Sequence, residues 1–201
     1  YFYQLAMNMG IDRMHDYLTQ FGFGSATGID VPGEGKGLLP SREWKRAMLN
    51  EPWYPGETVI AGIGQGFNVV TPLQLANAVT ALVNGGTRYA PRLLYAAKPA
   101  GVAKANRTRA PVALQIPVND PNDWQTILEG MELVVHGARG TARKVAVDAH
   151  FRTGGKTGTA QVYQLAAGKK GDQSEIAEHL RDHAWFIAFA PVESPRIAIA
   201  V

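Results

Sequence analysis

Phe151-Arg152-Thr153-Gly154-Gly155-Lys156-Thr157-Gly158-Thr159-Ala160-Gln161-Val162 is the stretch on which the fold turns. Its Gly-Lys-Thr run invites a phosphate-binding loop, but such a loop needs a glycine five residues before the second one, and that position is His150. A loop of that kind also feeds directly into a helix, whereas the residues from Thr159 to Tyr163 have the pattern of a strand. Read as a strand, the run places Thr157 and Thr159 on one face, where two hydroxyls can converge on a carboxylate. Gly158 between them lets another backbone approach closely. Lys156 adds a fixed positive charge where the strand begins, and an edge strand offers backbone N–H groups to a developing oxyanion.

Downstream the strand pattern returns over 184–190 and 196–201, with a polar insertion at 165–182 before the first of these. Trp185, Phe186 and Phe189 read as core residues of the middle strand. Upstream the periodicity is helical. Apolar residues at 1, 2, 5, 6 and 9 open the chain, and Asp12 is expected to cap a helix with an apolar face of Met14, Tyr17, Leu18 and Phe21, stopped by Gly22 and Gly24. A glycine-rich loop over 28–40 leads to Pro40-Ser41, which opens a short helix holding Trp44 and Met48, and 51–56 read as irregular surface chain. Thr71-Pro72-Leu73-Gln74 is a capping box with proline at the first helical position, and apolar residues at 75, 76, 79, 82 and 83 carry that helix to Gly85-Gly86. Extended chain over 88–95 and a surface stretch over 101–117 follow. Asp120-Pro121 then starts a helix presenting Trp124, Ile127, Leu128, Met131, Val134 and Val135, ended by Gly137, and a further helix is expected from Thr141. Helices first and antiparallel strands last make the fold class α+β. The chain is read as a single domain over 1–201, helical over about 1–150 and stranded over about 151–201.

The chain has 201 residues, 46% of them hydrophobic and 18% charged, the balance of a packed globular protein. With no cysteine it has no disulfide, thiolate metal site or cysteine nucleophile. A net charge of +3, scattered along the chain, argues against a nucleic-acid partner. Its apolar runs, such as 184–190, fall far short of the ~18 residues that cross a bilayer. Gly62-Ile63-Gly64-Gln65-Gly66 is not a dinucleotide loop, since its third glycine comes one residue early, and it reads as a tight turn before the helix at Thr71. His179 and His183 share helical spacing near Glu175 and Glu178, but a zinc site there needs a third ligand and an ordered helix inside a polar insertion, so no metal site and no cofactor is expected. Both termini, Tyr1-Phe2-Tyr3 and Ile197-Ala198-Ile199, are apolar and read as cuts through packed elements.

Tyr1-Phe2-Tyr3-Gln4-Leu5-Ala6, Gly28-Ile29-Asp30-Val31-Pro32-Gly33-Glu34, Gly62-Ile63-Gly64-Gln65-Gly66, Thr71-Pro72-Leu73-Gln74-Leu75-Ala76, Gly140-Thr141-Ala142 and Lys156-Thr157-Gly158-Thr159-Ala160-Gln161 together resemble a class B penicillin-binding protein. Asp182-His183-Ala184-Trp185-Phe186 brings the resemblance nearest to the elongation-specific type. It implies part of the fold shared by serine β-lactamases and penicillin-binding transpeptidases, with helices packed on an antiparallel sheet, truncated at both ends. The implied activity is a D,D-transpeptidase that cross-links peptidoglycan stem peptides through a serine acyl-enzyme. The implied ligands are the D-Ala-D-Ala stem peptide and β-lactams, and the implied setting is the periplasmic face of a bacterial inner membrane, beside membrane proteins of the elongation machinery and held by an anchor outside this chain. By that resemblance Lys156 supports proton transfer, Thr157 and Thr159 hold the terminal carboxylate, Gly158 lies in the same substrate-binding strand, and the Thr159 N–H supplies half of the oxyanion hole.

One departure outweighs the match. The family's nucleophile is a serine with lysine three residues on, followed by a Ser-x-Asn or Ser-x-Asp motif. Here the serines are Ser25, Ser41, Ser174 and Ser194, and the residues three places on are Gly28, Trp44, Ala177 and Ile197. None has an adjacent base in the sequence, so the catalytic serine is expected outside these residues and the chain alone is expected to be inactive. A serine β-lactamase or β-lactam sensor shares the Lys-Thr-Gly strand, but the Gly62 loop and the Thr71 helix argue against it. A noncatalytic envelope interaction module using the 165–181 insertion is the reading from a different class.

Overall fold

The computed structural model describes residues 1–98, 100–101, 106–107, 109–161 and 181–201. Within them the chain forms two compact units, Tyr1–Leu128 and Glu129–Val201. The architecture is α+β with antiparallel sheets, as the order of helical and strand patterns implies.

In the first unit, α1 (Phe2–Gln20) is two helical segments meeting at Gly10, whose φ of 74° and ψ of 159° only glycine adopts easily. Asp12 therefore does not begin the helix as a cap. It lies just inside the second segment, and its carboxylate meets Arg42 Nε at 2.9 Å. Ala6, Ile11 and Met14 are buried with Met9, Trp53 and Ala61 against them. α2 (Arg42–Leu49) starts where Ser41 Oγ accepts from Trp44 N at 3.0 Å. Residues 51–54 are irregular, but Pro55 begins α3 (Pro55–Ala61) rather than continuing the surface chain, because Glu57 reaches back to accept from Tyr54 N at 2.8 Å. The Gly62 turn is demanded by packing as well as by conformation: a Cβ there would stand 2.2 Å from Ala6 Cβ.

α4 (Pro72–Val83) carries the reciprocal cap, Gln74 N to Thr71 Oγ1 at 3.1 Å and Thr71 N to Gln74 Oε1 at 2.9 Å. Its buried face is rotated from the one read in the sequence, comprising Gln74, Asn77, Ala78, Val79 and Ala81. Gln74 is the cause. It is wholly buried, and its Nε2 donates to the carbonyls of Ser25 and Lys36, each at 2.8 Å, which pins the glycine-rich loop onto the helix. Phe21, Ala78, Ala81, Ile116 and Trp124 form the adjoining core.

The extended segment is short. β1 (Thr87–Tyr89) pairs antiparallel with β4 (Val112–Gln115), and β2 (Ala96–Ala97) with β3 (Asn106–Arg107), so part of the 101–117 surface stretch is strand. α5 runs Asn122–His136, its start fixed by Asn122 N on Asp120 Oδ1 at 2.9 Å.

In the second unit, Met131 and Val135 of α5 are buried. The helix expected from Thr141 is only a 3-10 turn, Arg143–Ala146, since Ala142 leaves helical geometry (φ −111°) and turns its N–H back to Val134 O at 3.0 Å. β5 (Gly154–Ala160), β6 (His183–Ala190) and β7 (Ile197–Ala200) form an antiparallel sheet in that order. β5 thus begins two residues before the run read from the sequence. Ala188 and Phe189 are buried as the strand reading implied, while Trp185 and Phe186 are half-buried. Residues 165–180 of the polar insertion, with Ser174, Glu175, Glu178 and His179, lie outside the described residues, and His183 sits on β6 opposite Ala160. No described helix is long and apolar enough to cross a membrane.

A buried cation organises the first unit. Lys45 is 1% exposed, with its ammonium 2.5 Å from Glu57 and 3.3 Å from Glu51, and 4.5 Å above the Tyr54 ring. Burial alone would lower the Lys45 pKa, but the hydrogen bonds to Glu57 and Glu51 raise it above the ordinary 10.5. Burial likewise opposes the Glu57 carboxylate, and the Lys45 hydrogen bond, the Tyr54 N–H and the Lys45 charge hold it below 4.5. The raised lysine stabilises the fold fully below 10.5 and loses this as pH rises further; the lowered glutamate does so above 4.5 and loses it as pH falls. Urea midpoints measured across pH should therefore drop on the acid side beginning near 4.5, and Glu57→Gln should shallow that drop. An acid limb identical in the variant would contradict the assignment.

Candidate active site

The second unit gathers the residues singled out by the Lys-Thr-Gly strand. After α5 the chain turns tightly: Gly137 N bonds Leu133 O at 3.0 Å, Gly140 N bonds Gly137 O at 2.9 Å, and Ala142 is buried against the helix end. A Cβ on Gly140 would lie 2.3 Å from Val134 O, so only glycine lets the turn close. Just before β5, Arg152 ion-pairs with Glu132 of α5 and with Glu193 in the β6–β7 turn, the latter at 3.2 Å. The Glu193 contact is solvated and fixes geometry more than it adds stability, whereas the Glu132 carboxylate is mostly buried beneath the guanidinium. Thr153 N donates to His136 Nε2 at 3.0 Å, completing the seam between α5 and the strand.

Two glycines then let β5 lie flat on β6. A Cβ at Gly154 would stand 2.4 Å from the Phe189 ring, and one at Gly155 would stand 2.7 Å from Phe186 Cζ. Gly158 differs: it is exposed, and the nearest protein atom to its missing Cβ is Trp185 Cβ at an ordinary 3.5 Å. Packing requires the first two glycines and leaves open space at the third.

The register fixes where each polar group points. Phe186 exchanges both main-chain hydrogen bonds with Val201, at 2.8 and 2.9 Å, so its N–H and C=O face β7. Thr157 stands opposite Phe186 and so belongs to a non-hydrogen-bonded pair, its main-chain groups turned away from β6. Two residues on, Thr159 repeats that direction, and its N–H and C=O also point to the outer edge. The side chains of Thr157 and Thr159 share a face; Lys156 is exposed on the other, with Nζ 2.6 Å from Thr157 O. Thr159 is exposed and Thr157 half-buried, with Thr157 Oγ1 3.0 Å from Thr141 Oγ1. Strand and turn together make a rim of hydroxyls beside a cation and an outward-facing backbone edge, suited to holding an anion next to a polarised carbonyl.

Thr141, His136 and Arg152 were not singled out as site residues by spacing. The available signal for Thr141 was the Gly140-Thr141-Ala142 triplet, and the other two carry none because their partners are distant in sequence. Of the serines, Ser41 caps α2 and Ser25 Oγ donates to Gly22 O at 3.2 Å, so both serve local backbone structure.

The family model of the penicillin binding protein transpeptidase domain matches residues 1–201. The peptidoglycan D,D-transpeptidase MrdA of Haemophilus influenzae is 41% identical over 203 residues, covering all of this chain and 31% of that protein. Among solved structures, Pseudomonas aeruginosa PBP2 in complex with WCK 5153 is 41% identical, with a TM-score of 0.78 over 100% of this chain and 39% of that one. PBP2 of Helicobacter pylori, in its complex with MreC, is 29% identical, with a TM-score of 0.75 over 100% of this chain and 33% of that one. The chain thus spans about a third of the length of these relatives.

The two kinds of glycine in β5 separate by measurement. Gly154→Ala should cost about 1–3 kcal/mol in urea unfolding through overpacking against Phe189, whereas Gly158→Ala should cost far less. Equal losses would show that the strand does not lie on β6 as described.

Proposed function

Since the chain belongs to the penicillin-binding protein transpeptidase family, we propose that residues 1–201 form one portion of the transpeptidase domain of a peptidoglycan D,D-transpeptidase, carrying the wall of its active site that holds substrate but not its nucleophile. The observation that carries this reading is the arrangement of β5. The Thr157 and Thr159 hydroxyls share a face, and the Thr159 N–H points to the outer edge. In the reaction a serine oxygen adds to the carbonyl carbon of the penultimate D-alanine and its proton passes to a base. As the C–N bond breaks, the base returns that proton to the departing nitrogen and the terminal D-alanine leaves as its amine. An acceptor amine next adds to the ester carbonyl, its proton passes through the base to the serine oxygen as the C–O bond breaks, and the new amide is the cross-link.

Thr157 and Thr159 bind the terminal carboxylate of the stem peptide, or of a β-lactam that mimics D-Ala-D-Ala. Lys156 supplies positive charge and supports proton transfer, Gly158 leaves the strand open to the substrate backbone, and Thr159 N–H gives half of the oxyanion hole. Such a donor is worth on the order of a hundredfold to a thousandfold in rate. The nucleophilic serine and its lysine come from residues outside 1–201, because no serine here has lysine three places on. The parent works at the periplasmic face of the inner membrane through an anchor outside these residues. The parent's partners are membrane proteins of the elongation machinery; that the Helicobacter pylori relative forms a complex with MreC supports a protein partner.

Intact masses after incubation with benzylpenicillin test this. Residues 1–201 alone should gain no adduct, and the full-length protein that contains them should gain one, lost on Lys156→Ala or much slowed. A stoichiometric acyl adduct on the chain alone, or none on the full-length protein, would overturn the proposal.

A further inference from the structure

The turn after α5 holds an exposed hydroxyl that spacing did not assign. Thr141 sits between Gly140, which no larger residue can replace, and buried Ala142, so its position is set from both sides by the end of α5. Its Oγ1 lies 3.0 Å from Thr157 Oγ1. Each threonine hydroxyl has one proton and two acceptor lone pairs. When one donates to the other, the acceptor still has its own proton to give, and the pair presents one outward O–H whichever way the shared bond runs. Without Thr141 the Thr157 hydroxyl turns freely about its C–O bond and must be ordered by each incoming anion.

We propose that Thr141 is a positioning residue for carboxylate recognition: its hydroxyl and that of Thr157 act as one unit that aims a single proton at the carboxylate of the substrate or inhibitor. This rests on the reading of β5 as the carboxylate-binding strand. It adds a residue from a separate element, the α5–β5 connection, so the rigidity of that turn contributes to the selection of anionic ligands. The hydroxyl, and not the bulk of the side chain, carries the effect.

The test compares acylation of the full-length protein by benzylpenicillin, which has the carboxylate, with acylation by benzylpenicillin methyl ester, which lacks the charge. Thr141→Val keeps the shape and removes the hydroxyl, and Thr141→Ser restores it. The expected result for Thr141→Val is a loss of up to about tenfold in the second-order rate constant for the acid, the scale of one neutral hydrogen bond, with little change for the ester. Thr141→Ser should recover most of the loss. Equal slowing of acid and ester would mean that the residue only shapes the turn, and no slowing of either would mean that its hydroxyl is idle; both overturn the proposal. Thr157→Val is measured alongside: if it too fails to separate acid from ester, the carboxylate reading of β5 falls, and Thr141 with it.

Discussion

A slip of one residue between β5 and β6 would turn the Thr157 and Thr159 side chains to the opposite face of the sheet and their main-chain groups inward, so the site depends on that register. Two contacts hold it: Gly154 fits against the Phe189 ring and Gly155 against Phe186. Phe186 gives its own main-chain hydrogen bonds to Val201, which leaves the Thr157–Phe186 pair without them. A shift would set Lys156 or Thr153 where only glycine fits. Close fits on both faces of β5 thus determine the direction of its polar groups, and the seam at Thr153 and Arg152 ties the strand to the end of α5.

The first unit uses polar groups in the same structural way. Gln74 closes the cap of α4 with one end of its amide and fastens the glycine-rich loop with the other. Lys45 joins α2 to α3 through Glu57 and lies against an aromatic wall of Tyr54 and Phe67. Each is satisfied by several partners, which is the condition under which such groups are tolerated inside a protein. Two of the three described serines are bound up in the same way, Ser25 in a loop and Ser41 in a helix cap.

What was legible in the sequence was whatever is written locally. The Thr71 cap, the Ser41 helix start, the helix after Pro121 and the strand through Lys156-Thr157-Gly158-Thr159 all depend on neighbours within a few residues. What escaped was set over distance. Gln74 looked like half a capping box and is also a buried hub, because its second partners lie 38 and 49 residues away. Trp44 and Met48 were the residues that marked the short helix, yet Met48 is exposed and Lys45, which carried no local signal, is buried. Asp12 had the spacing of a cap, but Gly10 carries the break in the helix and Arg42 takes the carboxylate. Thr141 had the look of a helix start, and its hydroxyl instead meets a strand 16 residues on.

The central claim is that β5 is the carboxylate-holding, oxyanion-facing wall of a transpeptidase site whose serine lies outside these residues. A crystal structure of the full-length protein acylated by benzylpenicillin tests it most directly. The account predicts the drug carboxylate within about 3.2 Å of the Thr157 and Thr159 hydroxyls, and the acyl carbonyl oxygen facing Thr159 N–H. It also predicts the ester on a serine other than Ser25, Ser41, Ser174 or Ser194. A carboxylate bound away from β5, or an ester on one of those four, would contradict it.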